Sequence, residues 1–344
     1  MESFLLVILI IILSILLQII LIGLNKKLSL KNKNQIQNIH TGNISRLGGL
    51  GIIIPTILII LYFGKYDLLI LINFSLISLL PALLEDLNIS IKPKYRFILT
   101  LFSSLLIVSF IKPLPFFEFF KEENFFNSMI FQIIFYTFGL TALVNGQNFI
   151  DGTNGLSAFS ALGSISCILF IGLILNDQFL IFFSFCLICL IIIFLIFNFP
   201  YGKIFLGDCG SYFLGYIIGI YLILIYGENP QIPTFSAALI IFYPIYEVIF
   251  SYIRKILSGI SPFKADNYHL HTIIFLFLNL RKDNAPSNNS KVTIIMSIIW
   301  IMPLLVFYFA YQKASNSIFL LIFIFLFYNY YYLYFYLKIK KFKK

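Results

Sequence analysis

The sequence predicts an all-α protein, a polytopic helical bundle embedded in a membrane. Of its 344 residues, 60% are hydrophobic and only 11% are charged, whereas a soluble domain carries about 25% charged residues. Mean hydropathy is +0.97, and apolar runs repeatedly approach the roughly 20 residues that cross a hydrocarbon core. The strict alternation of apolar and polar residues that marks an outer-membrane barrel is missing from the sequence. The composition therefore excludes a soluble globular enzyme.

Apolar runs between polar breaks predict about eleven transmembrane helices in a single domain, residues 1–344. The first run follows Glu2 and lacks both a basic leader and a small-residue cleavage site, so we expect an anchor rather than a signal peptide. The segment 281–291 reads as a flexible loop. The predicted spans are 3–24, 49–63, 67–84, 97–111, 128–144, 156–175, 178–197, 211–226, 233–252, 291–310 and 318–337.

The net charge of +10 is interpreted as a topology signal, and nucleic acid is not expected as a partner. With the N-terminus outside, one side holds the loops 25–48, 85–96, 145–155, 198–210 and 253–290 and the tail 338–344. Most of the 24 Lys and Arg residues fall on that side, and the exceptions are Lys65, Lys112, Lys121 and Lys313. Because basic residues collect in cytoplasmic loops, that side and the C-terminus are predicted to be cytoplasmic.

The non-basic polar residues concentrate in four of these predicted cytoplasmic loops. A single loop acid is more often a solvated charge than a functional group. Carboxylates gathered at the mouth of a low-dielectric bundle, however, repel one another unless a cation or protons intervene. We therefore expect one site where the loops converge, built from Glu85 and Asp86, residues 145–154, residues 198–211, and Asp266 with the following histidines.

The segment NFPYGKIFLGDCGS, residues 198–211, has the chemistry of a diphosphate site. Its glycines allow close backbone approach, Lys203 supplies a cation for phosphate oxygens, and Asp208 supplies a hard oxygen ligand for magnesium. In the segment NGQNFIDGTNGLSA, Asn145 and Asn148 can read a base or a sugar, and Asp151 can hold a metal or a hydroxyl. The alternative is an Asn/Gly-rich turn in which Asp151 caps a helix.

Two further groups complete the candidate site. Because His269 and His271 are two positions apart, a helix would point them to different faces, which favours phosphate contacts or proton handling over metal binding. Interfacial loop histidines are the alternative. Glu85 and Asp86 precede a basic cluster, a combination that suits an anionic lipid head group but also fits simple helix-end charge. The basic cluster is Lys92, Lys94 and Arg96.

Five motifs in order resemble those of the polyprenyl-phosphate N-acetylhexosamine-1-phosphate transferases. They are RLGG (46–49), LLEDLN (83–88), NFIDGTNGL (148–156), NFPYGKIFLGDCGS (198–211) and DNYHLHT (266–272). The resemblance implies an enzyme of the bacterial inner membrane with ten or eleven helices and a cytoplasmic active site. It would transfer a sugar 1-phosphate from a UDP-sugar to undecaprenyl phosphate, releasing UMP and starting a lipid-linked envelope glycan. A muramoyl-pentapeptide transferase, disfavoured by the HLH pattern, and a membrane transporter are the alternatives.

The resemblance also implies roles for individual residues. Asp208 and Asp151 are expected to hold Mg²⁺, with Mn²⁺ as a substitute, and Glu247 is the one acid in the interior of a predicted span. The expected partners are the UDP-sugar, the polyprenyl phosphate, the membrane and a second copy of the chain in a homodimer. The catalytic residues would be Glu85, Asp86, Asp151, Asp208, His269 and His271, and the substrate-binding residues Arg46, Asn145, Asn148, Asn198, Lys203 and Lys264.

Overall fold

The computed structural model describes residues 2–28, 44–118, 120, 125–261, 264, 267–280 and 288–342, and within them all regular structure is helical. This confirms the all-α class. The α-helices are α1 Glu2–Leu28, α2 Leu50–Tyr62, α3 Tyr66–Asp86, α4 Pro93–Phe110, α5 Met129–Phe149, α6 Leu156–Leu175, α7 Gln178–Asn198, α8 Gly207–Glu228, α9 Thr234–Ile240, α10 Phe242–Leu257, α11 Leu270–Leu280, α12 Asn288–Ile295, α13 Ser297–Ala310 and α14 Ala314–Phe342.

The chain is a multi-pass membrane protein. Over the described residues, nine spans are long and apolar enough to cross a membrane, or ten if α9 and α10 are counted as one broken span bent by 78°. The prediction of eleven is too high by this measure because α2 has only 13 residues. At 1.5 Å per residue it is about 20 Å long, shorter than the roughly 30 Å of a hydrocarbon core.

Several helix boundaries differ from the predicted ones. Helix α5 runs on to Phe149, so Asn145 and Asn148 are helical rather than in a loop. Helix α11 lies within the predicted loop 253–290. Residues 288–290 of the predicted flexible segment begin α12, while 281–287 lie outside the described residues. At the end of α5 and the start of α12, polar residues led to helical turns being predicted as loops, whereas α11 is apolar but has only 11 residues.

Helix α8 forms the centre of the bundle, and 94% of the residues in its apolar stretch are buried. It packs closely against α5 because glycines face the neighbouring backbone. A Cβ on Gly215 would lie 2.7 Å from the Val144 Cα, and one on Gly219 would lie 2.4 Å from the Leu140 Cδ1. Small residues of this kind allow close helix approach in membranes. The first turn of α8 is thereby held at the middle of one end of the bundle.

That end of the bundle collects the connections that carry the predicted site. The segments 44–49, 87–92, 150–155 and 199–206 meet there, together with the start of α11. Backbone hydrogen bonds join the first segment to the fourth, Asn154 joins the third to the fourth, and His271 packs against Gly152. The predicted loops meet at this end as far as they are described, and Asp266 lies outside the described residues.

Candidate functional site

Asp86 caps the first turn of α8. Its carboxylate is fully buried and accepts the backbone N–H of Asp208 at 2.8 Å and that of Cys209 at 2.9 Å. The Nε of Arg46 lies 3.8 Å from the same carboxylate. A buried acid that accepts the free N–H groups of a helix start stabilises that helix end and fixes its position. Asp86 thus ties the end of α3 to the turn that carries Asp208.

Glycines of residues 198–211 allow this segment to pack closely against RLGG. The N–H groups of Gly48 and Gly49 donate to the carbonyls of Phe205 and Leu206, both at 2.9 Å. Gly207 has a φ of +80°, and a Cβ there would lie 1.9 Å from the Arg46 carbonyl oxygen. At the α8 start, the N–H groups of Asp208 and Cys209 are already accepted by Asp86.

Asp208 lies between two arginines. Its Oδ1 is 3.5 Å from the Arg46 Nη2, and its Oδ2 accepts a hydrogen bond from the Arg96 Nη1. The Asp208 side chain is 13% exposed, against 32% for Arg46 and 18% for Arg96, so all three reach the surface of the bundle end. Sequence reasoning read Arg96 only as part of a basic cluster. The signal in the sequence that Arg96 belongs to the site was its position near the start of α4, shortly after Glu85 and Asp86.

Asp151 and Glu85 are the other two acids near Arg46. Asp151 lies in the turn between α5 and α6, where burial and the nearby Asp208 raise its pKa to about 7, against the opposing charge of Arg46. Burial alone would lower the pKa of Arg46, but Asp208, Asp86, Asp151 and Glu85 raise it. Glu85 is half-buried and accepts the Ile91 N–H at 2.8 Å. The four predicted acids therefore form one electrostatic cluster with Arg46.

The charges and donor atoms of this cluster fit a divalent cation. Four carboxylates face two arginines, so full ionisation leaves two negative charges unbalanced. Within the described part of the chain no group of three or more His, Cys, Asp or Glu side chains is arranged to enclose a metal. Mg²⁺ does not need one, since it is typically held by one or two carboxylates together with substrate phosphates and water. Asp208 and Asp151 are the carboxylates that suit this binding mode.

Apart from Arg46, the predicted substrate-binding residues are hydrogen-bonded asparagines and exposed lysines. Asn148 donates to the Ser211 Oγ at 3.1 Å, and that hydroxyl donates to the Asp208 carbonyl at 3.0 Å. Asn145 is held within α5, donating to the Thr141 carbonyl at 2.8 Å. Asn198 is buried and closes the 199–206 loop by donating to the Ile204 carbonyl at 2.7 Å. The exposed side chains are Lys203 and Lys264.

The two histidines lie side by side. Their rings are nearly parallel, with an interplanar angle of 7° and centroids 5.6 Å apart. The prediction that they face different sides is wrong because α11 begins only at Leu270, after His269. His271 packs against the turn that holds Asp151, since a Cβ on Gly152 would lie 2.2 Å from its Nε2. Burial and His269 lower the pKa of His271 to about 4, although Glu247 opposes this, so its ring is neutral at pH 7.

Glu247 positions His269 from α10. Its buried carboxylate lies 3.0 Å from the His269 Nδ1 and accepts the Leu270 N–H at 3.2 Å. Tyr328 of α14 donates to the other oxygen. The imidazole is therefore oriented by a carboxylate that is itself hydrogen-bonded, an arrangement that fixes a ring in one orientation. The intramembrane acid singled out in the sequence joins the histidine motif to the bundle.

Residues 68–226, from α3 through most of α8, match the model of glycosyl transferase family 4. Over this region, just under half of its length, the chain is similar to members of that family. The matched region contains Asp86, Asp151 and Asp208, whereas Arg46 and the histidine pair lie outside it.

The chain is also similar to several curated proteins. A Bacillus subtilis protein named probable undecaprenyl-phosphate N-acetylglucosaminyl 1-phosphate transferase is 29% identical over 250 residues, covering 70% of this chain and 68% of the relative. The Escherichia coli K12 undecaprenyl-phosphate alpha-N-acetylglucosaminyl 1-phosphate transferase is 32% identical over 40% of this chain and 39% of its own length. The Mycobacterium leprae decaprenyl-phosphate N-acetylglucosaminephosphotransferase is 30% identical, with 40% of each chain covered. The similarity to the last two relatives thus spans about two fifths of their length.

Proposed function

We propose that this chain transfers N-acetylhexosamine 1-phosphate, with N-acetylglucosamine as the first candidate sugar, from a UDP-sugar to undecaprenyl or another polyprenyl phosphate. The relatives carry this activity in their names, and the family match covers the three central acids. The observation that carries the proposal is the position of Asp208, held between Arg46 and Arg96 with Asp151 nearby. Such a cluster suits two phosphate-bearing substrates and a divalent cation.

In the net reaction a phosphate oxygen of the lipid forms a bond to the sugar-bearing phosphorus. The bond from that phosphorus to the bridging oxygen breaks, and UMP leaves with that oxygen. One phosphoanhydride replaces another, so little driving force comes from the chemistry, and catalysis consists of positioning and charge neutralisation. Arg46 and Arg96 offer fixed positive charge for the phosphates. Bound at Asp208 and Asp151, Mg²⁺ would supply Lewis-acid neutralisation of the diphosphate charge.

The first test is release of UMP, with transfer of label into lipid, by the purified protein and undecaprenyl phosphate. UDP-GlcNAc, UDP-GalNAc and UDP-MurNAc-pentapeptide are offered separately. We expect turnover with Mg²⁺ and a UDP-N-acetylhexosamine, loss of turnover with EDTA, and recovery with excess Mg²⁺ or Mn²⁺. Turnover with the pentapeptide donor alone would assign the muramoyl branch. No UMP release from a folded protein with any donor would refute the proposal.

Arg96 provides a prediction that sequence reasoning did not supply. We expect Arg96→Gln to lower the rate of UMP release about 10- to 100-fold, because removing a hydrogen-bonded partner of a metal-binding side chain typically has an effect of this size. Lys94→Gln is the matched control, since Lys94 lies in the same turn of α4 but is exposed. Equal rates for the two variants would show that Arg96 contributes only net charge.

The side of the membrane is also open to test. We propose that the end of the bundle with the acid cluster faces the cytoplasm of a bacterial inner membrane, because the basic side chains collect at that end. A membrane-impermeant maleimide should label Lys313→Cys in intact cells and Lys94→Cys only after permeabilisation, with the wild-type chain as background. The reverse pattern would invert the topology. The homodimer stays a prediction, to be measured as the mass of the protein in detergent.

A further inference from the structure

The first turn of α12 contains buried polar residues in a part of the sequence that reads as a flexible loop. Asn288, Asn289, Ser290 and Thr293 are between 1% and 5% exposed. Buried polar side chains are costly unless they are hydrogen-bonded. Each of these four is hydrogen-bonded to a segment of the candidate site or to the helix that follows the histidine motif. We name this group the α12 clamp.

Asn154 lies in the turn after Asp151, and the clamp forms hydrogen bonds with both its backbone N–H and its carbonyl group. Its N–H donates to the Asn289 Oδ1 at 2.6 Å, and its carbonyl accepts from the Thr293 Oγ1 at 2.7 Å. Thr293 also lies 3.1 Å from the hydroxyl of Thr153. Both backbone groups of Asn154 are therefore paired with α12, whereas the Asp151 N–H and the Thr153 carbonyl bond to α5 and α6.

The same clamp reaches the loop that carries Lys203 and leads into Asp208. The Ser290 hydroxyl donates to the Pro200 carbonyl, and the side chain of Asn154 donates to that carbonyl as well, at 2.8 Å. The clamp also contacts α11, because Asn288 donates to the Asn279 Oδ1 at 3.0 Å. One helical turn thus contacts the Asp151 turn, the 199–206 loop and the helix that carries His271.

We propose that the α12 clamp is a positioning element that fixes the Asp151 turn relative to the Asp208 loop, and that its residues do not touch the substrates. This inference rests on the proposed transferase function. Productive geometry in a site that works by positioning is sensitive to shifts of about 1 Å. Removal of one clamp hydrogen bond should therefore alter substrate and cation binding while the fold persists.

The only tryptophan of the chain reports on this junction without an activity assay. Trp300 Nε1 donates to the Thr293 carbonyl at 3.3 Å. Its ring stacks on Phe159 with centroids 4.9 Å apart, and Phe159 in turn contacts Phe199 at the start of the 199–206 loop. Quenching of Trp300 fluorescence by acrylamide therefore measures how tightly α12 is packed against both loops.

The test compares Thr293→Val, Thr293→Ser and the matched control Thr56→Val. Thr56 is a fully buried threonine whose hydroxyl bonds only within α2, to the Ile52 carbonyl at 2.7 Å. We expect Thr293→Val to lower kcat/KM about 10-fold, with higher KM for the UDP-sugar and more Mg²⁺ needed for half-maximal rate. Trp300 should become more quenchable. Thr293→Ser keeps the hydroxyl, so all of these quantities should stay within about twofold of the wild-type values. Thr56→Val should leave them unchanged.

Two results would overturn the inference. They are wild-type kinetics in Thr293→Val, and equal kinetic losses in Thr293→Val and Thr56→Val. If Thr293→Val does not fold, Ser290→Ala takes its place, with the same expected direction and the same overturning result. If the wild-type protein releases no UMP from any donor, the proposed function fails, and Trp300 quenching in the Thr293 variants then decides by itself whether the clamp holds the two loops.

Discussion

Asp208→Asn should lower UMP release about 100- to 1,000-fold, the range seen when one electrostatic contact of a preorganised site is removed. The substitution keeps the shape of the side chain but removes the negative charge that pairs with Arg46 and Arg96 and that would hold the cation. The rate is measured over a series of Mg²⁺ concentrations. We expect excess Mg²⁺ to recover only a small part of the loss, because the two arginines then lack their counter-charge.

The matched control for this prediction is Asp177→Asn, at the start of α7. Asp177 is exposed and accepts the Leu180 N–H at 2.9 Å as a helix cap, a role that asparagine fills about equally well. Both variants change one aspartate into an amide, but only one alters the cluster. Activity of Asp208→Asn within a factor of three of the control would remove Asp208 from the proposed site.

Gly207→Ala should produce the largest loss of stability among single substitutions of the site glycines. Gly207 has a φ of +80°, and its Cβ would lie 1.9 Å from the Arg46 carbonyl oxygen and 2.6 Å from the Asp86 Oδ2. Left-handed strain alone costs about 1–3 kcal/mol, and the close contacts add to it by forcing Asp86 away from the α8 start. We expect a lower apparent Tm in detergent, and loss of activity even in the fraction that remains folded.

The control for Gly207→Ala is Gly139→Ala in the middle of α5. A Cβ on Gly139 meets nothing within 4 Å, and alanine has a higher helix propensity than glycine by about 1 kcal/mol. Gly139→Ala should therefore leave the Tm unchanged or raise it. If Gly207→Ala showed the same Tm as wild type, the close packing of RLGG against the α8 start would be wrong.

The membrane helices could be predicted from the sequence because the bilayer requires each spanning segment to satisfy its backbone hydrogen bonds locally. The predicted segment 156–175 coincides with α6, and 178–197 differs from α7 by one residue. The sequence failed where polar residues continue a helix, as in the last turn of α5 and the first of α12. There the pairing partners that stabilise the helix are distant in the chain and invisible to a local reading.

The sequence by itself indicated three acids of the candidate site. Asp86, Asp151 and Asp208 carry unusual polarity at the ends of apolar runs, and the tertiary structure brings all three around Arg46. Only the tertiary structure decided which groups each of these acids contacts. Asp86 is predicted from the sequence as a catalytic residue, and in the structure it is a buried cap on a helix start 122 residues away along the chain. Whether a carboxylate meets a helix start, an arginine or open space depends on which helix ends pack together, and no local pattern contains that information.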